Sequence, residues 1–161
     1  MADYGSKELN LTRELNAPLE LVFKAWTDPE MLARWWGPSG VTNPEADVDL
    51  RVGGRIYIVM LAGEELGELA GQRWPMDGVI EEIENPHKFA FRNQAVDDNG
   101  KVLIDGRTTV ILAEAGPNKT KMTLSVTARG MAEPAVQMLE GMTPGWTQSI
   151  DKLEKYLESL N

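Results

Sequence analysis

A long stretch of alternating apolar and polar residues, from Glu45 to Arg129, constrains the fold of this chain more than any other feature. Successive side chains of a β-strand point to opposite faces, so a period of two predicts strands with one buried face. Sequences rich in Gly, Asn, Asp and Pro interrupt the stretch at 84–87, 97–100 and 115–118, and such sequences form tight turns. Tight turns join antiparallel neighbours, so the stretch predicts an antiparallel meander.

The alternation predicts six strands in this stretch and a seventh before it. The first strand of the chain covers residues 8–14, where leucines alternate with polar residues. The other six are expected near 48–52, 56–60, 74–84, 88–96, 103–113 and 119–128. Gly53 and Gly54 are interpreted as a bend that lets the sheet curve. Between 63 and 71, three glutamates and three glycines indicate a long, mobile hairpin end.

Two short helices are predicted between the first strand and the meander. Each has a proline, Pro18 or Pro29, that suits a first helical turn, and Gly37-Pro38 ends the second helix. The first helix carries apolar residues at i, i+3, i+4 and i+7, which place one apolar stripe along it. We expect Trp26 and one member of the Trp35 and Trp36 pair to lie in the core. The other member of the pair is expected to line the mouth of a binding site.

A longer helix is predicted at the end of the chain. Its apolar stripe consists of Trp146, Ile150, Leu153, Leu157 and Leu160. Pro144 and the glycines beside it are expected to divide it from a shorter helical turn over 134–142. A seven-stranded antiparallel sheet needs cover on one face, and this helix is the only element long enough to supply it. A straight helix does not fit flush against a curved sheet, so the arrangement predicts a gap that suits a small molecule.

The composition narrows the classes of partner. The chain has 161 residues with 16 basic and 25 acidic side chains, no Cys and one His, and its formal net charge is −9. This length predicts one domain, and a negative surface repels both nucleic acid and anionic lipid. No stretch is apolar enough to cross a membrane, and the first residues hold no signal sequence. We therefore expect a cytoplasmic protein that binds neither nucleic acid nor membrane.

Few residues are available for catalysis or metal binding. Without Cys there is no thiol nucleophile, and a single His cannot form a two-His metal site. That residue, His87, lies in a predicted turn and is interpreted as a solvated turn residue. We therefore predict no catalytic residue, no metal and no cofactor.

Short motifs along the chain carry a family resemblance. They are Asn16-Ala17-Pro18, Trp26-Thr27-Asp28-Pro29, Arg34-Trp35-Trp36-Gly37-Pro38, Val52-Gly53-Gly54-Arg55, Glu84-Asn85-Pro86-His87-Lys88 and Gly145-Trp146. The double Trp followed by Gly-Pro is the most specific of them. Together they resemble the AHSA1-type (activator of Hsp90 ATPase homologue 1-like) domain of the START/Bet v 1-like SRPBCC superfamily. The resemblance covers about residues 8–160 of a single domain placed at 1–161.

The resemblance implies an α+β, helix-grip fold. In such a fold a seven-stranded antiparallel sheet carries two short helices and a long C-terminal helix over one face, with a deep apolar cavity between them. Relatives bind hydrophobic ligands, catalyse cyclisation or dehydration, sequester toxic compounds, or stimulate the Hsp90 ATPase, and the fold alone does not choose among these roles. The lack of catalytic groups favours a protein that binds a small apolar ligand.

The strand and helix faces nominate residues around the expected gap. The predicted ligand-binding residues are Trp36, Ile58, Met60, Phe91, Val110, Met122, Leu124, Trp146 and Ile150. Methionines in such a wall adapt to ligands of irregular shape. Arg73, Arg92, Asn93 and Gln94 are the polar residues that could orient a ligand, and the sequence leaves open which of them face inward.

Two other functions and one assembly remain as alternatives. A cyclase or dehydratase would use a carboxylate desolvated inside the cavity, and Asp77 and Glu82 are the acids to examine. A chaperone-interaction module would follow the Hsp90-stimulating branch, which joins this domain type to a further N-terminal domain that 161 residues leave no room for. An exposed strand edge or an aromatic cap would support a homodimer.

Overall fold

The predicted sheet and helices are present in the computed structural model, which describes residues 4–160. The strands are β1 (Ser6–Leu15), β2 (Val41–Val48), β3 (Arg55–Ala62), β4 (Arg73–Glu84), β5 (Lys88–Val96), β6 (Val102–Gly116) and β7 (Lys119–Gly130). The α-helices are α1 (Leu19–Thr27), α2 (Pro29–Trp35), α3 (Ala135–Glu140) and α4 (Met142–Leu160). Residues 1–3 and 161 of the predicted domain lie outside the described residues.

The strands form one antiparallel sheet in the order β1-β7-β6-β5-β4-β3-β2. From β2 to β7 the neighbours follow the chain, as a meander requires, and β1 pairs with β7 at the far edge. α1 and α2 occupy the connection that crosses from β1 to β2. The predicted seven-stranded antiparallel sheet, with two short helices and a long C-terminal helix, is therefore confirmed.

The strand before β3 lies earlier than the alternation at 48–52 predicts. Leu50 and Val52 are in the turn after β2, where they are 45% and 62% exposed. Gly53 in this turn has a φ of 86°, a conformation that glycine adopts at little cost. Its amide donates to Ile80 O at 2.8 Å, so the turn docks on β4. After Val48, the last residue of β2, the alternation at 48–52 is therefore a turn sequence rather than a strand.

Pro44 makes β2 difficult to recognise in the sequence. Proline lacks the amide hydrogen that a sheet interior needs, so its presence argues against a strand. In the structure β2 is an edge strand, and its register against β3 shifts between Thr42 and Glu45. The irregularity accommodates the proline at the edge of the sheet.

The segment from 63 to 71 contains secondary structure that the sequence does not predict. A 3₁₀ helix covers Glu64–Leu69 and breaks at Gly67, whose φ is 58°. A Cβ placed on Gly40 would lie 3.0 Å from Leu66 Cδ2, so this helix packs against the connection between α2 and β2. The predicted irregular hairpin end is therefore a short helical element.

The helix boundaries follow the predicted start and stop signals. The Asp28 side chain accepts hydrogen bonds from the amides of Glu30 at 2.9 Å and Met31 at 3.4 Å, which caps α2. α3 ends at Gly141, where the chain is divided from α4. Pro144 lies in the first turn of α4, where a missing amide hydrogen leaves no bond unmade.

The core lies between α1, α2 and α4 and one face of the sheet, which we call the inner face. α4 contributes Ile150, Leu153 and Leu157, all 0% exposed, as its predicted stripe requires. Leu160, the last residue of that stripe, is instead 48% exposed at the end of the helix. α1 packs on the other end of the inner face, where Phe23 meets Phe89 at 6.3 Å between ring centroids.

Candidate functional site

The register of the sheet groups the inward-facing residues into rows that cross the strands. Partners in neighbouring strands share a face, so each row forms one line of the inner face. The rows are Met60–Trp74, Ile58–Met76–Ala95–Ile104, Ile56–Gly78–Asn93–Gly106–Ala128, Ile80–Phe91–Thr108–Val126 and Phe89–Val110–Leu124. The last rows are bulky and buried, whereas the first three contain small or half-buried residues. The inner face therefore changes from a closely packed end under α1 to a more open end.

Four tryptophans and Phe91 meet where α4 crosses the short helices. Trp26 stacks on Trp146 with ring centroids 6.3 Å apart, and Trp36 meets Trp146 edge-on at 5.3 Å. Trp36 also contacts Phe91 at 6.4 Å, and Trp35 packs edge-on against Trp26 at 4.7 Å. Trp26 and Trp35 are fully buried, whereas Trp146 keeps part of its surface accessible. Trp36 and Trp146 thus lie at the boundary of the core.

Two side chains one turn apart on α4 hold it to the turn after α2. Lys152 Nζ donates to the carbonyl oxygens of residues 36–38, over distances of 3.5, 3.2 and 3.4 Å. Gln148 Oε1 accepts a hydrogen bond from the Ser39 amide at 3.0 Å. Partial burial lowers the pKa of Lys152, because the charged ammonium group loses water contacts.

The other flank of α4 is held by β1. Arg13 Nη1 on β1 lies 2.9 Å from Asp151 Oδ1 and 3.1 Å from Glu154 Oε2 of the helix. Ion pairs of one arginine with two carboxylates fix direction as well as distance. α4 is therefore tied to the rest of the fold on both sides.

The nine predicted ligand-binding residues lie around one core, but the space between them is filled. The six without accessible surface are Ile58, Phe91, Val110, Met122, Leu124 and Ile150, each 0% exposed. Accessible surface includes the walls of internal cavities, so no space large enough for a water molecule adjoins these side chains. The deep apolar cavity implied by the resemblance is therefore not open around these six residues, which belong to one cluster of buried side chains.

The other three predicted residues reach accessible surface. Trp36 is 7% exposed, and Met60 and Trp146 are half-buried. A Cβ placed on Gly37 would lie 2.6 Å from Met60 Sδ, so Met60 packs against the turn that Lys152 holds. These three residues mark the edge of the filled core.

An accessible surface continues from Met60 across the open end of the inner face. Its members are half-buried, face inward and occupy adjacent positions of the first three rows. They are Met60, Trp74, Asn93, Ala95, Ile104 and Gly106, and we call this surface the open patch. It carries no charged side chain, and Asn93 is its only side chain with a hydrogen-bonding amide. A ligand at this patch would meet mostly apolar surface and the Asn93 amide, while the indole N–H of Trp74 donates to Gln72 Oε1 at 3.3 Å.

Asn93 is the only one of the four candidate polar residues that faces inward. It shares the parity of Phe91 along β5 and pairs with Gly106 across the sheet. Its Oδ1 accepts a hydrogen bond from Thr108 Oγ1 at 3.0 Å. Asn93 therefore belongs to the open patch.

The remaining polar candidates lie on the outer face. Arg92 and Gln94 both bind the carboxylate of Asp105, at 2.9 and 3.4 Å. The hydrogen bond from Arg92 lowers the pKa of Asp105, although partial burial acts in the opposite direction. Arg73 forms an ion pair with Glu45 on the edge strand. None of these three side chains reaches the inner face.

The two acids of the enzyme hypothesis also lie on the outer face. Asp77 pairs with Arg55 at 3.0 Å, and Glu82 pairs with Lys88 and Arg107 at 3.2 Å each. Their side chains are 44% and 41% exposed. An exposed, ion-paired carboxylate outside the site does not serve as its acid or base. The structure therefore does not support Asp77 or Glu82 as a catalytic group.

Other surface features lie away from the inner face. One shallow depression of about 290 Å³ lies between the start of α1 and the β6–β7 turn, and another of about 200 Å³ lies over Val79 on the outer face. His87 is exposed in the β4–β5 turn, with Nδ1 3.2 Å from Leu112 O. Within residues 4–160 no three His, Asp or Glu side chains are placed to hold a metal ion.

None of the helices in the described part of the chain is long and apolar enough to cross a membrane. The compartment of the protein and its oligomeric state remain predictions.

A seven-stranded antiparallel sheet with a long C-terminal helix across its inner face defines the helix-grip class of proteins. Residues 16–158 match the family described as Activator of Hsp90 ATPase homolog 1-like protein, and the chain belongs to this family. The resemblance seen in the sequence motifs is therefore confirmed. A search of the curated proteins found no match.

Solved structures of several bacterial proteins are similar over nearly the whole chain. The AHSA1 protein of Silicibacter pomeroyi is 26% identical with a TM-score of 0.75, over 96% of this chain and 100% of its own. A protein of Chromobacterium violaceum is 28% identical with a TM-score of 0.74, over 94% and 97%. The AHSA1-like protein of Aeromonas hydrophila is 25% identical with a TM-score of 0.64, over 94% of each chain.

The predicted site did not include five members of the open patch: Trp74, Asn93, Ala95, Ile104 and Gly106. For Asn93 the sequence indicates a polar residue that could orient a ligand but leaves its direction open. Continuing the period of two from Phe89 and Phe91 places Asn93 and Ala95 on the same face, so this signal is present in the sequence. The sequence does not indicate that these residues are exposed, because their exposure depends on where α3 and α4 stop covering the sheet.

Proposed function

We propose that this protein binds a small, mostly apolar molecule at the inner face of the sheet, beginning at the open patch and Trp146. The observation that carries this proposal is the set of half-buried, inward-facing apolar side chains at one end of an otherwise closed core. Covering such surface contributes about 25 cal/mol for each Å² of apolar area removed from water. An apolar ligand therefore gains affinity here from burial alone.

The nine predicted residues would contact a ligand to different depths. Trp36, Met60 and Trp146 border accessible space and would be met first. The six fully buried residues would touch a ligand only after core side chains shift. Methionine is unbranched and adapts its shape, so Met60 and Met122 are the residues best suited to such a shift.

The absence of charge on the inner face supports binding rather than acid–base catalysis. The inward-facing residues of β3–β6 in the described rows are all uncharged. Charged side chains of these strands lie on the outer face, where Asp105 pairs with Arg92 and Asp77 with Arg55. A ligand on this face would be held without a neighbouring group to transfer a proton.

Filling the open patch provides the test. We expect the parent protein to bind tetralin, an uncharged bicyclic hydrocarbon, and Ala95→Phe to weaken this binding by about tenfold or more, because the added ring occupies the patch. Val79→Phe is the matched control, since Val79 lies on the outer face of β4 and is 47% exposed. Titrations followed by ¹H–¹⁵N NMR measure both affinity and location. Saturable shifts that avoid the open patch, or equal affinities of both variants, would contradict the proposal.

Membership of the family is the one observation that favours a chaperone-linked role. The corresponding measurement is the ATPase rate of Hsp90 with and without this protein. Equal stimulation by the parent and by Ala95→Phe would assign a function to a surface other than the open patch.

A further inference from the structure

The amide of Asn93 is bound to a buried hydroxyl group. Thr108 is 0% exposed, and its hydroxyl donates to Asn93 Oδ1 at 3.0 Å. In this arrangement the amide oxygen is directed into the sheet, and Nδ2 lies on the other side with two donors.

The donors on Asn93 Nδ2 have no acceptor in the part of the chain that the structure describes. Among residues 4–160 the only hydrogen bond of this side chain is the one that it accepts from Thr108. The buried side-chain atoms without a partner in this range are Trp26 Nε1 and Asn43 Oδ1, so Asn93 Nδ2 is not sealed in the core. Its donors therefore face accessible space.

Gly106 leaves this amide uncovered. It is the cross-strand partner of Asn93, and a Cβ placed on it would lie 3.5 Å from Asn93 Nδ2. Any larger residue at position 106 would also approach Thr127 O to 2.5 Å, so only glycine fits the sheet here. The amide thus lies beside the backbone of residue 106 rather than beside a side chain.

The surroundings determine which kind of acceptor fits. The rest of the open patch is apolar except for the indole N–H of Trp74, which is bound to Gln72, and no cation on the patch could pair with an anionic ligand. Moving a carboxylate onto apolar surface without a counter-charge is strongly unfavourable, whereas a carbonyl oxygen needs only one hydrogen bond. An uncharged acceptor is therefore the best match.

We propose that Asn93 Nδ2 donates a hydrogen bond to an uncharged acceptor oxygen of the bound molecule, so that this site selects compact ketones, lactones or esters over hydrocarbons and carboxylates. This inference rests on the proposed function and adds the class of ligand. Asn93 fixes the direction of the ligand, and the apolar patch supplies most of the contact.

The test compares tetralin with 1-tetralone, which has nearly the same shape and one carbonyl. We expect the parent to bind 1-tetralone about threefold to tenfold more tightly, the usual net effect of one neutral hydrogen bond. In the double variant Asn93→Leu/Thr108→Val this ratio falls to about one, because the donor is gone and no buried hydroxyl is left unpaired. Gln94→Leu, which changes an outer-face amide on the same strand, keeps the ratio of the parent.

A second measurement does not depend on how well the variants fold. In the parent, the side-chain amide signals of Asn93 should shift on addition of 1-tetralone and stay nearly unchanged with tetralin. Binding of both probes with equal affinity and no such shift would overturn the role of Asn93 and leave the binding site intact. Failure of both probes to bind would overturn the proposed function itself. Tighter binding of the corresponding carboxylate than of the ketone would contradict the preference for an uncharged ligand.

Discussion

Lys152 connects α4 with the end of α2 through a single half-buried ammonium group. Its partners are the carbonyl oxygens of residues 36–38, which follow the last turn of α2. Carbonyl groups at a helix C-terminus carry partial negative charge, so a cation is favourable there. Burial removes part of the hydration of the ammonium group and lowers its pKa. The lysine thus stabilises the docking of α4 while its charge is partly desolvated.

We expect stability to depend on pH through Lys152. The folded protein holds this proton less tightly than the unfolded chain, so the unfolded chain binds more protons between the lowered pKa and the ordinary value of about 10.4. In this alkaline window the free energy of unfolding of the parent should rise with pH relative to Lys152→Met. Urea unfolding of both proteins at several pH values measures the difference, with Lys155→Met as an exposed control on the same helix. A difference that falls with pH would be inconsistent with this account.

Asn93 shows how much the alternation along a strand can predict about a single residue. The period of two that buries Phe89 and Phe91 places Asn93 inward and Arg92 outward, and this much is contained in the sequence. Its hydrogen bond to Thr108 depends on the register between β5 and β6, which a pattern along one strand does not determine. The direction of the amide therefore requires the structure.

At the scale of single elements, β3–β6 separate apolar and charged groups between their two faces. Cross-strand ion pairs on the outer face include Arg55–Asp77 at 3.0 Å and Arg92–Asp105 at 2.9 Å. Such exposed pairs are each worth little, but opposite charges in diagonal cross-strand positions favour the native register over a slipped one. The outer face therefore helps to align the strands that carry the open patch.

Asp105 should make part of the stability of these strands sensitive to acid. Its folded pKa is lowered by Arg92, so its contribution is present above the ordinary value of about 4 and is lost as pH falls through the lowered pKa. Asp105→Asn should therefore be less stable than the parent at pH 6, and this difference should shrink as the pH falls through the lowered pKa. Denaturant titrations at several acidic pH values measure this. Asp98→Asn, in the exposed β5–β6 turn, is the control. A difference that persisted at low pH would exclude the ion pair as its cause.

The elements differ in how clearly the sequence marks them. α2 begins where the Asp28 side chain caps its first turn, so a local pattern was enough to place it. β2 could not be placed in this way, because Pro44 breaks the strand pattern and the misleading alternation lies in the following turn. Strands at sheet edges tolerate such exceptions, since one side of their backbone has no ladder to maintain.

At the scale of the whole molecule, the helix and the sheet meet with their interior filled. The order of elements predicts that α4 covers the inner face, and this is observed. Whether a gap remains depends on the summed volumes of side chains from all elements, among them Trp26, Trp35 and Phe91. The periodicity of the sequence does not reveal these summed volumes. The fold could therefore be predicted from the sequence, whereas the absence of an open cavity beside these residues could not.

Leu124→Ala tests how closely this interior is packed. Leu124 is 0% exposed at the centre of β7, so its truncation should lower the free energy of unfolding by about 2–5 kcal/mol. The binding of tetralin should stay nearly unchanged, because the buried row Ile80–Phe91–Thr108–Val126 separates Leu124 from the open patch. Ile111→Ala, on the outer face and 47% exposed, should change neither quantity by much. A loss below about 1 kcal/mol would show that the core collapses around the missing side chain.

The fastening of α4 on both flanks has a consequence for the rate of ligand exchange. Lys152 and Gln148 bind one side of the helix, and Arg13 binds the other. Lifting the helix would break all of these contacts together, whereas rotation of Met60 or Trp74 breaks none of them. We therefore expect residence times to follow side-chain rotation at the sheet rather than movement of a lid, and molecules to enter and leave while the backbone stays in place.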